Sequence, residues 1–174
     1  MTQNVTHEQV YSQINNGDIM FVANFNHLVA RLIQFATRSP YSHVAILFWV
    51  TTPGGAKRLM VVEAQGGTTL RVQDFDFYSD RPLQIVAAPK DFSSYESVAL
   101  AHIGEIKYGY IEALYSGVRD FFFDYLNIKL PQKTFKGEIC SEFVARVLGL
   151  TSTDVTPQDV FNELNAPVKF NVVG

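Results

Sequence analysis

Cys140 is the single cysteine of a 174-residue chain, and it stands in "EICSEFV", directly ahead of an apolar run with helical spacing. A thiol buried in a core is a small hydrophobe with no further role. At a helix N-terminus it is a different object, because the aligned peptide dipoles there favour the thiolate. A cysteine nucleophile needs a lowered pKa, a base that takes or shares its proton, and a group that orients the base. Among four histidines, His43 is the best base, since it opens "HVAILFWV" and a strand would hold its ring. Glu63, inside "LMVVEAQ", is the candidate orienting group. An unpaired carboxylate in such a run would cost several kcal/mol, so it demands a partner. Taken singly, each residue also has a plain reading: a packed thiol, a hydrogen-bonded core histidine, a strand glutamate turned to solvent.

The elements must bring the three together. The run from His43 to Val50 is rich in β-branched and aromatic residues and reads as a strand. "TTPGGAK" is a hairpin turn, and Arg58 to Gln65 returns antiparallel. A turn centred near Gly54 sets His43 across from about residue 65. Glu63 shares the parity of that partner, so His43 and Glu63 fall on one sheet face as diagonal neighbours. Cys140 to Leu148 reads as a helix with Phe143, Val144, Val147 and Leu148 on one face and Gly149 past its end.

Further elements follow from the same rules. Residues 5–15 read as a short helix, "DIMFV" as a strand, and 27–37 as a helix broken by "RSPYS". "TTLRV" and "PLQIVAA" read as strands, 93–106 and the aromatic 111–126 as helices. Thr156-Pro157 opens a last helix with Asp159 in its first turn, and "VKFNVV" reads as a final strand. Antiparallel strands with helices packed around them make an α+β domain spanning residues 1–174.

The motifs "GDIMFV", "LIQFATRSPYSHVAI", "VVEAQGG" and "GEICSEFV", in this order, resemble the circularly permuted branch of the NlpC-like, papain-fold superfamily. Within it they are similar to the YiiX-like group, related to lecithin retinol acyltransferase-type proteins. The resemblance spans roughly residues 17–148. It implies a permuted papain-like α+β fold, a Cys140 nucleophile, a His43 base and a Glu63 orienting residue. It implies action on amide or ester bonds through a thioester, with peptide, peptidoglycan or acyl-lipid substrates and no cofactor. "KYGYIEALYS" resembles the family's Tyr-containing stretch ahead of the cysteine helix, which makes Tyr108 and Tyr110 candidates for lining the cleft. The aromatic segment 111–126 would serve a lipid-acyl enzyme as its acyl surface. A binding module that kept the fold and lost the chemistry is the reading from another class.

Composition excludes several classes. The formal net charge of −3 argues against a nucleic-acid binder, which needs a basic face. One cysteine excludes an internal disulfide and a multi-cysteine zinc site, and the histidines lack ligand spacing. "DFDFYSD" lacks the glycine and distal glutamate of a calcium loop. The N-terminus lacks the pattern of a signal peptide, and no stretch reaches the ~20 apolar residues of a membrane span. The expectation is a cytoplasmic or otherwise soluble protein, with delivery outside the cell by a partner left open.

Overall fold

The computed structural model of the chain describes residues 3–23, 31, 34–35, 38–64, 70–101, 103, 140–150 and 155–173. The described elements are β1 (Gln3–Thr6), α1 (His7–Val10), β2 (Ile19–Val22), β3 (His43–Thr51), β4 (Lys57–Ala64), β5 (Leu70–Asp74) and β6 (Leu83–Val86). α2 (Glu96–Ala101), α3 (Cys140–Leu148), α4 (Pro157–Leu164) and β7 (Val168–Val173) complete them. The expected helices over 27–37, 93–106 and 111–126 lie partly or wholly outside the described residues.

The strands form one seven-stranded sheet in the order β1-β7-β6-β2-β3-β4-β5. The class is α+β as expected, but the sheet is mixed rather than wholly antiparallel, because β1 and β7 pair in parallel. The expected helix over 5–15 accounts for the difference. Its first two residues, Val5 and Thr6, belong to the strand Gln3–Thr6 that joins the exposed edge of β7, and only His7–Val10 and a 3-10 turn at Tyr11–Gln13 are helical. Backbone groups along β7 offered hydrogen bonds that a local helix could not use, and tertiary context overrode local propensity.

The central hairpin has the expected register: Ile46 faces Val62 and Thr51 faces Lys57. Alternation then sorts the core onto two faces. Val44, Ile46, Phe48, Val62 and Ala64 pack with Cys140, Phe143, Val144, Val147 and Leu148 of α3. Ala45, Leu47, Leu59 and Val61 pack on the opposite face with Val10, Ile14, Phe75 and Tyr78. α3 therefore buries its apolar stripe on β3 and β4, and its end at Gly149 is closed by the Leu150 N–H donating to the Ala145 carbonyl at 2.9 Å. α4 starts as expected, with Thr156 and Asp159 bonding reciprocally as a capping box and Pro157 in the first turn.

Candidate active site

His43 is the first residue of β3, and Cys140 is the first residue of α3. The β3–β4 register puts Glu63 across from Ala45, two residues along from His43 on the same face. His43 Nε2 lies 2.7 Å from Glu63 Oε2. The charge of the Cys140 side chain acts on the same imidazole. With Nε2 turned to Glu63, Nδ1 is the ring nitrogen left for the thiol. Cys140 belongs to the helix-covered face of the sheet and Glu63 to the opposite face. The imidazole, at the first residue of β3, is the group on which both act.

Glu63 is fully buried, and both of its oxygens are occupied. Besides His43, Oε2 accepts from the Tyr78 hydroxyl. Oε1 accepts from Arg71 Nε at 3.0 Å and lies 3.0 Å from Arg71 Nη2. Arg71 reaches it because β5 pairs Arg71 directly with Glu63. Tyr78 reaches it from the 3-10 turn Phe75–Tyr78 that follows β5. The Tyr78 ring is parallel to the His43 ring, with centroids 6.3 Å apart, and the Arg81 guanidinium covers it at 4.9 Å.

These contacts set the protonation states. Burial disfavours a charged His43, but the charge and hydrogen bond of Cys140, followed by those of Glu63, outweigh it and raise its pKa to about 10. Burial likewise disfavours an ionised Glu63. The hydrogen bond and charge of His43, then Tyr78 and Arg71, overcome that and lower its pKa to about 2. Burial and the Glu63 charge push the Tyr78 phenol up, so it stays a donor. The arrangement joins an ionised carboxylate to a ring that favours its charged form.

Of the three residues singled out from the sequence, His43 and Glu63 meet, and Cys140 acts electrostatically on the same imidazole. Tyr108 and Tyr110, singled out for the cleft, lie outside the described residues. The hydroxyls next to His43 serve packing: Ser42 donates to the Val22 carbonyl at 3.3 Å, and Tyr41 donates to Gln84. Sequence reading missed Arg71 and Tyr78. A signal for the first existed, because a glutamate in an apolar strand needs a cation, and the next strand, "TTLRV", supplies one. Tyr78 carried no such signal, since "DFDFYSD" shows its orientation only once the turn is built. The "GD" of the chain is structural. Asp18 is buried, accepts from the Asn15 and Ala88 N–H groups at 2.8 and 3.0 Å, and pairs with Lys169 at 2.7 Å.

No helix among the described residues is long and apolar enough to cross a membrane. No family model matches this chain, and no curated protein matches it. Among solved structures it is similar to the crystal structure of yiiX from Escherichia coli O157:H7, described there as a metalloprotein. That likeness has a TM-score of 0.55 at 18% identity and covers 93% of this chain and 99% of the other. At this identity the two share a fold, and the chain has the α+β fold of yiiX.

Proposed function

We propose that the chain is a thiol hydrolase in which Cys140 is the nucleophile, His43 the general base and acid, and Glu63 the residue that orients His43. One observation carries the reading: a single imidazole is held at Nε2 by a buried carboxylate and is coupled electrostatically to the chain's single thiol, at a helix start. In the reaction, the Cys140 thiolate attacks a carbonyl carbon and forms a C–S bond, while the carbonyl electrons move to oxygen. The oxyanion faces the Cys140 backbone N–H at the helix start. It collapses to a thioester as the His43 imidazolium gives its proton to the leaving amine. His43 then takes a proton from water, the hydroxide adds to the thioester, and the thiolate departs. Glu63 stabilises the imidazolium in both half-reactions.

The substrate reading is an amide of the peptide or peptidoglycan type. An acyl ester is the counterpart, distinguished by comparing muropeptide cleavage with phospholipid turnover. The metal in the description of yiiX has no matching donor set among the described residues. Among the described residues no three His, Cys, Asp or Glu side chains gather to hold an ion. The Glu63 oxygens already receive donors from three side chains.

The test is the rate of Cys140 alkylation against pH in the wild type and in His43→Ala. The expected result is rapid reaction well below about pH 8, where a free thiol is still mostly protonated, and loss of that reactivity in His43→Ala. Two proteins that titrate alike, as an ordinary thiol does, would overturn the hydrolase and favour a binding module on the same fold.

A further inference from the structure

The Glu63 carboxylate carries more donors than a residue that merely orients a histidine requires. The Tyr78 hydroxyl shares Oε2 with His43 Nε2, while Arg71 holds Oε1 with two nitrogens. Tyr78 is fully buried and keeps its ring parallel to the imidazole. Its ring is pinned in turn by the guanidinium of Arg81, which also covers Phe77 at 4.7 Å. Arg71 comes from β5, the strand paired with β4, and Tyr78 from the 3-10 turn that follows it, so the neighbouring strand and its turn support the carboxylate.

A carboxylate with one free oxygen could rotate away or take up a proton. Either event would remove the negative charge from Nε2 and weaken the imidazolium, and with it the thiolate. Two oxygens tied to three donors leave Glu63 neither freedom. Resting on the thiol-hydrolase reading, we propose that Tyr78 and Arg71 are positioning residues that hold Glu63 ionised and aimed at His43 Nε2, so that His43 presents Nδ1 to Cys140. They touch neither the thiol nor the reacting carbonyl. Their effect on the thiol passes through Glu63 and His43.

The experiment is the pH profile of Cys140 alkylation by iodoacetamide in Tyr78→Phe, Arg71→Gln and Arg71→Lys. His43→Ala and thermal melts run alongside. Tyr78→Phe keeps the ring and removes only the donor. Arg71 is partly exposed, so its replacement leaves a foldable protein and serves as the second variant. In Tyr78→Phe and Arg71→Gln the onset of alkylation moves up by about one pH unit, which is about tenfold slower reaction at a fixed acidic pH. Arg71→Lys restores part of the shift, because a cation remains beside Oε1. The imidazole nitrogen resonances of His43 move in the same variants, a change that loss of packing alone does not produce. Lower melting temperatures with an unmoved onset in both Tyr78→Phe and Arg71→Gln would overturn the positioning role and leave the hydrolase reading standing. A wild-type profile that ignores His43→Ala would overturn both.

Discussion

At the scale of single residues, the paired shifts of His43 and Glu63 have consequences for stability that differ in sign. The His43 value is raised from 6.5 to about 10. Folding therefore favours its protonated form, and its contribution is complete below pH 6.5 and is lost as pH rises toward 10. The Glu63 value is lowered from 4.5 to about 2, so its contribution is complete above pH 4.5 and is lost as pH falls toward 2. His7 acts in the acid direction too: burial lowers its value, and its Nε2 has no partner, so charging it opposes the fold. Urea midpoints in the wild type should fall between pH 6.5 and about 10, and His43→Gln should flatten that limb while leaving the acid limb in place. Glu63→Gln should instead flatten part of the acid limb. The residue types at 43, 63 and 140 were legible in the sequence because a histidine at a strand start, a glutamate in an apolar run and a thiol at a helix start each break a local pattern. Tyr78 breaks none, since a tyrosine in a turn is ordinary until its hydroxyl is seen to point inward.

Among the elements, the turn into β2 is the most constrained by shape. Gly17 has φ +86, and a Cβ there would lie 2.2 Å from the Tyr95 hydroxyl, which donates to the Gly17 carbonyl at 3.1 Å. Gly55, in the β3–β4 turn, has φ +82 with nothing within 4 Å of a Cβ. The pair separates backbone strain from collision. Gly55→Ala should cost about 1 kcal/mol, the conformational penalty alone. Gly17→Ala should cost distinctly more, because Tyr95 must move and give up its hydrogen bond; thermal unfolding of both variants checks the order. The hairpin was legible, since the two runs and their short turn leave few pairings that keep the apolar residues in the core, while its register rested on supposing the turn centred near Gly54. The first strand was not, because "QNVT" has no strong preference and takes its form from the free edge of β7.

For the whole molecule, the decisive ties join parts of the chain far apart in sequence. Asp18, ahead of β2, holds the N–H groups of Asn15 and Ala88 and the ammonium of Lys169 on β7. Asp18→Ala should destabilise by about 3 kcal/mol or more, because it strands a largely buried cation and two backbone donors. The loss should appear in the urea midpoint and be smaller in Lys169→Met, which removes the cation with its need for a partner. The α+β class, the central hairpin and the cysteine helix were determined by the sequence alone, since hydrophobic period and turn residues act over short spans, and the resemblance in motif order is what singled out His43, Glu63 and Cys140. The parallel docking of β1 and the donors behind Glu63 were decided by the tertiary structure alone. Strand-edge hydrogen bonds and buried-charge compensation are satisfied by whichever group folding brings near, and sequence spacing does not say which group that will be.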